Sequence, residues 1–277
     1  MNNIVAIMYD FDHTLSDKDM QEYAYIPDIS MSSKEFWAKC SEMGREYNMD
    51  YILAYMYVMI NEARGKTLFT HDTLLEQGRR IQFFDGVEGW FDRINAYGKA
   101  HGIEVEHYII SSGLKKIIEG TSIARYFKEI YACDFCYNDR GEPFWPSMAV
   151  NYTSKTQFLF RINKGALDVV DDTTINAWIP DKERRIPFSN MVYIGDGFTD
   201  VPCMKLTKSE GGHSIAVYQD KPDSARAMID AGRVDFMLPA DYTEGGELDK
   251  VVKGIIDKID ADRCLGNLAD ANYITSK

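Results

Sequence analysis

Short apolar runs alternate with amphipathic segments along this chain. The first run, IVAIMY at residues 4–9, is continuous rather than alternating, which is typical of a parallel strand that is covered on both faces. Further short runs occur in VEHYIISSG, MVYIG and SIAVY, and segments with helical periodicity lie between them, the last being GGELDKVVKGIIDKIDADR. Strands that alternate with helices predict an α/β fold, with a parallel sheet and helices on both of its faces.

The alternation is interrupted directly after the first strand. From about residue 18 to 84 the pattern is helical, and SSKEFWAKCSEMGREY within it has Ser32 and Glu35 at capping-box spacing. A segment of this length is too long for a loop. We therefore predict an inserted α-helical subdomain at residues 18–84 and a core domain made of residues 1–17 and 85–277.

Three local patterns predict further helices. One helix of the insertion is predicted to begin near Thr70. Residues 85–102 also have a helical pattern, with Asp85 and Glu88 at capping-box spacing. A third helix is predicted over residues 113–131, GLKKIIEGTSIARYFKEIY, from its apolar periodicity.

Aromatic and methionine side chains recur every four residues along the second inserted helix. The stripe consists of Tyr47, Tyr51, Tyr55 and Met59. Such a stripe is typical of packing between helices, and we favour packing over a ligand surface. The same interpretation is favoured for Phe36 and Trp37 on the preceding helix.

Composition narrows the class of protein. The chain has 277 residues, 45% of them hydrophobic, and a formal net charge of −12, which argues against nucleic acid or an anionic membrane surface as the main partner. It contains no apolar run long enough to span a membrane, and its beginning lacks the pattern of a secretory leader. We expect a cytoplasmic protein.

The cysteines agree with a reducing compartment, because their number is odd and their spacing is scattered. They are Cys40, Cys133, Cys136, Cys203 and Cys264. Cys133 and Cys136 form a CxxC pair without a second ligand pair, so we interpret the spacing as coincidental. The histidines show no metal-ligand spacing; His13 is interpreted as a loop residue and the others as surface or packing residues.

Acidic and hydroxyl side chains follow three of the predicted strands. They are Asp10 and Asp12 after the first, Ser111 and Ser112 after HYII, and Asp196 and Asp200 after MVYI. Because the carboxyl ends of parallel strands meet at one edge of a sheet, these groups are expected to lie together. Clustered carboxylates repel each other unless a cation lies among them, and oxygen ligands of this type suit Mg²⁺.

Such a cluster can perform phosphoryl chemistry. A carboxylate beside Mg²⁺ can attack phosphorus and form an aspartyl-phosphate, and Asp12, two residues after Asp10 on the same face of an extended segment, could act as acid and base. Phosphate oxygens also need donors. Ser111, before the helix predicted at GLKKII, supplies a hydroxyl, and Lys155, at the start of the helix SKTQFLFRINKG, supplies positive charge.

Four motifs in order resemble those of the haloacid dehalogenase-like hydrolases. The motifs are DFDHTL, YIISSG, SKTQFL and YIGDGFTD, which together span residues 10–200. The resemblance implies a Rossmann-like core, a nucleophilic Asp10 that also binds Mg²⁺, and an acid/base Asp12 that binds the metal through its backbone carbonyl. It further implies that Asp196 binds the metal and that Asp200 lies beside it.

The resemblance also assigns the phosphate-binding groups. Thr14 would orient the first loop, and Ser111 is preferred to Ser112 as the phosphate ligand. Lys155 is the candidate lysine, although it lies farther from Asp196 than the family pattern usually has, so Lys164 remains a competitor. The segment DDTTINAWIPDKERR would then be an insertion between the third and fourth motifs.

The family resemblance finally indicates an activity. Asp12 favours a phosphatase or a phosphotransferase, and the helical insertion resembles the cap of phosphoserine-phosphatase-like members. We expect a Mg²⁺-dependent phosphatase of a small phosphorylated metabolite. A phosphomutase-like phosphotransferase and a non-catalytic protein that binds phosphorylated ligands stay open as alternatives, as does the oligomeric state.

Overall fold

A seven-stranded, mostly parallel sheet forms the centre of the protein. The computed structural model describes residues 3–219 and 223–275. The strand order is β4-β3-β2-β1-β5-β6-β7, and only the pairing of β4 with β3 is antiparallel within the described ranges. The strands are β1 (Ile4–Tyr9), β2 (Glu104–Leu114), β3 (Phe127–Tyr137), β4 (Pro143–Met148), β5 (Met191–Gly195), β6 (His213–Tyr218) and β7 (Phe236–Pro239).

The first strand lies in the middle of the sheet, as its continuous apolar run predicts. It pairs in parallel with β2 on one side and with β5 on the other. Residues 5–9 are fully buried, because helices cover both faces of the sheet. The predicted α/β, Rossmann-like fold is confirmed.

Helices fill the intervals between the strands. No helix in the described part of the chain is both long enough and apolar enough to cross a bilayer. The helices are α1 (Met20–Tyr23), α2 (Tyr25–Asp28), α3 (Ser33–Glu46), α4 (Tyr51–Ala63), α5 (His71–Gly78), α6 (Val87–Ala100), α7 (Lys115–Glu119), α8 (Lys155–Lys164), α9 (Asp172–Asn176), α10 (Val201–Ser209), α11 (Asp223–Asp230) and α12 (Glu247–Thr275).

Helices α1 to α5 occupy the predicted insertion between β1 and α6. The Ser32 hydroxyl accepts a hydrogen bond from the backbone N–H of Glu35, and the Glu35 carboxylate accepts one from the backbone of Ser32, so the predicted capping box of α3 is confirmed. Thr70 caps α5 in the same way, where a helix start was predicted. The domain boundaries at 17/18 and 84/85 stay a prediction.

The last helix of the insertion packs tightly against the core helix α7. A Cβ atom at Gly78 would lie 2.1 Å from the carbonyl oxygen of Ile117, and one at Gly120 would lie 2.0 Å from that of Leu75. Both distances are far below contact, so each position requires glycine. The two backbones therefore meet without an intervening side chain.

Two sequence predictions are wrong. The helix predicted over residues 113–131 ends at Glu119, and residues 127–131 belong to β3, where Ile109 and Ile110 of β2 pair with Ile130 and Tyr131. Pairing with the sheet buries these β-prone residues, and this outweighs their helical periodicity.

The capping box predicted at Asp85 is also absent. The N-cap of α6 is Gly86, whose φ of +84° is left-handed, and it makes no side-chain cap. A Cβ at Gly86 would lie 2.4 Å from the backbone of Tyr242, and the Asp85 carbonyl accepts a hydrogen bond from the Tyr242 N–H. Close contact with the loop that carries Tyr242 fixes the start of α6.

A buried hydrogen-bond chain links helix α6 to the neighbouring strands β1 and β2. Trp90 Nε1 donates to the Tyr9 hydroxyl at 2.8 Å, and the His107 ring lies 3.0 Å from the Tyr9 oxygen through Nδ1 and 3.0 Å from Asn95 Oδ1 through Nε2. The chain is complete when His107 is neutral, with its proton on Nε2 and the Tyr9 hydroxyl donating to Nδ1. Burial lowers the pKa of His107 to about 3.

This histidine is predicted to make the stability of the fold depend on pH. The pKa of His107 is lower in the folded protein than the ordinary 6.5 of an unfolded chain, so only the unfolded state gains a proton as the pH falls below 6.5. The contribution of His107 to the free energy of unfolding should decrease by about 2 kcal/mol from about pH 7 to about pH 5. Urea unfolding of wild type and His107→Gln at both pH values measures it. A difference between the two proteins that is independent of pH would contradict the prediction.

Candidate active site

Three carboxylates meet at the carboxyl edge of the sheet, where the sequence predicts them. Asp10 directly follows β1 and Asp196 directly follows β5, and these strands are adjacent: the Asp10 N–H donates to the Ile194 carbonyl at 2.9 Å. Asp200 ends a short 3₁₀ turn before α10. One carboxylate oxygen of each of Asp10, Asp196 and Asp200 lies within 4.8 Å of the others.

A buried lysine compensates two of these charges. Lys155 is the first residue of α8 and is fully buried, and its Nζ lies 3.1 Å from Asp10 Oδ1 and 2.8 Å from Asp200 Oδ1. Burial acts to lower the pKa of Lys155, but the carboxylates of Asp10 and Asp200 outweigh it and raise this pKa above its ordinary value. The lysine therefore remains charged.

The competing lysine lies at the other end of the same helix. Lys164 Nζ donates to the carbonyl oxygens of Ile175 at 2.6 Å and Ala177 at 2.8 Å, in the loop region around α9. Lys155 therefore lies beside the carboxylates, whereas Lys164 contacts the segment that separates the third and fourth motifs.

Asp200 is held by donors on both of its oxygens. Its Oδ1 accepts from the Tyr193 hydroxyl at 2.8 Å as well as from Lys155, and its Oδ2 accepts from the Gly197 N–H at 3.2 Å. A Cβ at Gly195 would lie 2.6 Å from Asp200 Cγ, so glycine is required there. Asp200 makes no side-chain cap to α10.

The carboxylates of Asp10 and Asp196 are only partly compensated by positive groups of the described protein. Burial and the neighbouring carboxylates of Asp200 and Asp10 raise the pKa of Asp196 to about 8. Burial and Asp200 raise the pKa of Asp10 to about 6, against the opposing effect of Lys155. Three oxygen donors with surplus negative charge are the set that a hard divalent cation such as Mg²⁺ binds, so the residues fit such an ion.

Asp12 points away from this cluster. Its Oδ1 accepts a hydrogen bond from the Met20 N–H at 2.8 Å, at the start of the helical insertion. Burial, together with the charges of Asp19 and Asp10, raises the pKa of Asp12 well above its ordinary value. Its carboxylate is not among the three clustered groups, which leaves its backbone carbonyl as the predicted metal contact.

The loop after β1 is tightly closed. The N–H groups of Thr14, Leu15 and Ser16 all donate to the Phe11 carbonyl, and His13 has a left-handed φ of +56°. Thr14 is buried; its hydroxyl lies 3.5 Å from Asp196 Oδ1, and its carbonyl accepts from the Tyr242 hydroxyl at 2.8 Å. The loop geometry agrees with the orienting role predicted for Thr14, which stays a prediction.

The two candidate serines lie inside β2 and not before a helix. The strand continues to Leu114, so α7 begins four residues after Ser111 and the predicted position of Ser111 at a helix N-terminus is wrong. Ser111 is buried, and its Oγ accepts from the Gly113 N–H at 3.0 Å. Ser112 is half-buried, and its carbonyl accepts from the Tyr55 hydroxyl at 2.7 Å.

Glycine at position 113 allows the insertion to approach the site. A Cβ at Gly113 would lie 2.0 Å from Met20 Cε and 3.2 Å from Asp12 Oδ2. The end of β2, the first loop and α1 therefore pack directly against one another.

A cavity of about 570 Å³ opens above the carboxylates. The core lines it with residues that include Asp10, Asp12, Ser111, Ser112 and Asp196, and the insertion lines it with Asp19, Gln21, Trp37, Tyr51, Ile52 and Tyr55. The packing prediction holds for Phe36 and Met59, which are fully buried, and is incomplete for Trp37, Tyr51 and Tyr55, because these also face the cavity. It is wrong for Tyr47, which is exposed because it lies at the C-cap of α3 and not on α4.

Sequence reasoning missed several contributors to this site. Tyr193 lies within an apolar strand, and its hydroxyl was not distinguished from the other core aromatics. Asp19 and Gln21 belong to none of the four motifs. Because they closely follow the first loop, their sequence position does indicate that they could reach the site. Tyr242 comes from a loop far along the chain, and no spacing indicates its contact with Thr14.

The chain resembles known proteins over most of its length. A family model described as haloacid dehalogenase-like hydrolase matches residues 7–205. An uncharacterized protein of Borreliella burgdorferi is 29% identical, and the match covers 89% of this chain and 94% of that protein.

Solved structures share the fold at low sequence identity. A haloacid dehalogenase family hydrolase of Salmonella enterica serovar Typhi has 18% identity and a TM-score of 0.59 over 91% of this chain and 70% of its own. A phosphoserine phosphatase in a phospho-aspartyl intermediate analogue form has 15% identity and a TM-score of 0.55 over 91% of this chain and 98% of its own.

The clustered carboxylates predict a stabilising effect of divalent cations. Mg²⁺ should raise the free energy of unfolding of the wild-type protein by about 3 kcal/mol at a hundredfold excess over its dissociation constant. Asp196→Asn should be more stable than wild type in EDTA by about 1 kcal/mol near neutral pH, because folding no longer has to protonate a carboxyl whose pKa is raised, and it should lose most of the gain from Mg²⁺.

Thermal unfolding in EDTA and in MgCl₂ measures both effects. The exposed Asp139, in the turn between β3 and β4, provides a matched control in Asp139→Asn, which should behave as wild type in both buffers. An Asp196→Asn protein that gains as much from Mg²⁺ as wild type would show that the cation binds elsewhere.

Proposed function

The chain belongs to the haloacid dehalogenase-like hydrolase family, and from this premise we propose that it is a Mg²⁺-dependent phosphatase of small phosphomonoesters that works through an aspartyl-phosphate. The observation that carries the proposal is the position of Asp10. Its carboxylate borders the cavity, contacts Lys155 at 3.1 Å and lies in the cluster with Asp196 and Asp200. A nucleophile, a charge-compensating lysine and a metal-binding set are thus within one small region.

Asp10, Asp196, Asp200 and the Asp12 carbonyl are the residues that would hold the metal ion. When bound, Mg²⁺ would neutralise negative charge on the phosphate and on the carboxylates. Lys155 would add positive charge on the protein side, and Ser111, Ser112 and Thr14 would position the phosphate or the loop around it.

The reaction divides into two displacements. In the first, a carboxylate oxygen of Asp10 attacks phosphorus, the bond between phosphorus and the alcohol oxygen breaks, and Asp12 gives its proton to the departing alcohol. In the second, water attacks phosphorus of the aspartyl-phosphate, Asp12 takes a proton from that water, and the phosphorus–Asp10 bond breaks. Inorganic phosphate leaves, and both aspartates return to their starting forms.

We assign residues 18–84 the role of a cap over residues 1–17 and 85–277. The assignment is supported by the six cavity-lining residues that α1, α3, α4 and their flanking loops supply. A cap that covers the cavity would exclude water during the first displacement and would restrict substrates to small soluble metabolites. A cytoplasmic location is part of the proposal and agrees with the five cysteines, all of which are free.

Replacing the nucleophile tests the proposal directly. Asp10→Asn should lower kcat for a generic aryl phosphate by at least about 10³-fold, because the covalent step is lost, and EDTA should have a similar effect on the wild type. Phosphate release is the measurement, with Asp139→Asn as the control that keeps wild-type activity.

Full phosphate release by the Asp10→Asn protein would refute the aspartyl-phosphate mechanism. Formation of an isomeric phosphate ester without net phosphate release would instead identify a phosphotransferase, and no turnover of any ester by the wild type would identify a binding protein.

The acid role of Asp12 predicts a dependence on the leaving group. Asp12→Asn should reduce kcat by about 10²- to 10⁴-fold for alkyl phosphates, whose alkoxides need a proton, and by much less for aryl phosphates, whose phenolates leave without one. Single-turnover rates with matched alkyl and aryl esters measure the contrast. Equal losses for both ester classes would exclude Asp12 as the general acid.

A further inference from the structure

The insertion presents an aromatic surface to the cavity. Trp37 on α3 is stacked with Tyr51 on α4, with ring centroids 6.2 Å apart and an interplanar angle of 27°. Trp37 also meets Tyr55 edge to face at 6.1 Å, and Phe36 packs against Trp37 at 4.9 Å from the side of the core. The three cavity-lining rings that the insertion supplies, Trp37, Tyr51 and Tyr55, are therefore fixed by aromatic neighbours, and Tyr51 keeps 46% of its surface exposed.

The charged residues around this cavity are almost all acidic. Among the described lining residues there is no lysine or arginine, and the carboxylates are Asp10, Asp12, Asp19 and Asp196. The one basic ring, His13, lies 3.4 Å from Asp19 Oδ1. A carboxylate on the leaving group would have to compete with Asp19 for His13, whereas a positively charged leaving group would be attracted by Asp19, the lining carboxylate that neither the proposed metal ion nor the acid role of Asp12 uses.

An unpartnered acceptor lies on the same side of the cavity. Gln21 is 2% exposed and lines the cavity, and its Oε1 is buried with no hydrogen-bond partner among the described residues. A buried amide oxygen without a donor costs free energy, which a ligand with positive polarity at its surface would recover. The amide oxygen is independent of the aromatic rings and favours the same kind of ligand, whereas the buried N–H of Trp37, which also lacks a partner among the described residues, suits an acceptor elsewhere on that ligand.

From these three observations we infer that the substrates are phosphomonoesters of alcohols that carry an ammonium group, with the ammonium held between the Trp37–Tyr51 rings, Asp19 and Gln21. The inference rests on the proposed phosphatase function. The faces of Trp and Tyr rings attract cations, and the attraction increases where water is excluded. The phosphate would lie over Asp10 and Lys155, at the opposite side of the cavity.

Two pairs of substrates test the inference, each pair differing in one charge. Phosphocholine and 3,3-dimethylbutyl phosphate have the same shape, but only the first is cationic at its far end. Phosphoethanolamine and phosphoserine both carry an ammonium group, but only the second carries a carboxylate. We expect kcat/KM to be about five- to thirty-fold higher for phosphocholine than for its neutral isostere, and higher for phosphoethanolamine than for phosphoserine.

Variants then locate the preference. Tyr51→Leu and Asp19→Asn should each lower the phosphocholine to 3,3-dimethylbutyl phosphate ratio of kcat/KM toward one, and Tyr51→Phe should keep it, because the ring face remains. Tyr57 lies on the same helix with 45% exposure and outside the cavity lining, so Tyr57→Leu is the matched control and should keep the wild-type ratio.

The outcomes separate the inference from the function on which it rests. Hydrolysis of an aryl phosphate together with a ratio of one or less in the wild type would overturn the inference and leave the phosphatase intact. Nucleoside monophosphates as the best substrates would also overturn it, since the rings would then stack on a base. No hydrolysis of any ester would refute the proposed function itself.

Discussion

The contact between one buried ammonium and two buried carboxylates holds the candidate active site together. Lys155 lies between Asp10 and Asp200 with both distances near 3 Å, and none of the three side chains is appreciably exposed. Two carboxylates about 4 Å apart repel each other by about 4 kcal/mol at an effective dielectric constant of 20. The attraction of both carboxylates to the lysine makes the net electrostatic energy of the three charges favourable. Because these residues belong to the end of β1, the start of α8 and the turn before α10, the same contact fixes three separate chain segments relative to each other.

The helical insertion is attached to this site by backbone contacts as well as by side chains. The Met20 N–H holds the Asp12 carboxylate, and the Tyr55 hydroxyl holds the Ser112 carbonyl. The side chains of Asn151 and Asp50 make a further contact at 3.1 Å between the two parts. The first loop, which carries the candidate acid, and the end of β2, which carries the candidate phosphate ligands, are thus positioned partly by the insertion, so substitutions in α1 or α4 are able to act on the chemistry.

The sequence predicts the features that arise from local patterns and from strand order. The run before Asp10 and the run before Asp196 are continuous and apolar, so they identify central parallel strands, and parallel strands bring their following residues to one edge. The sequence could not predict that residues 127–131 form a strand, because their periodicity suits a helix and only pairing with β2 makes them a strand. The position of Ser111 depends in the same way on how far β2 extends.

The close packing of α5 on α7 bears on how the cavity could open. With Gly78 and Gly120 in direct backbone contact, α5 has no side-chain layer through which to slide, and the N–H of His71 is bonded to the carbonyl of Gly141 on the core side. Helix α5 is thus bound directly to the core although it lies in the inserted stretch of sequence. Any displacement of the insertion that preserves these contacts leaves α5 in place, whereas the hydrogen bonds from Tyr55 to Ser112 and from Asn151 to Asp50 would have to break for the α3–α4 hairpin to move.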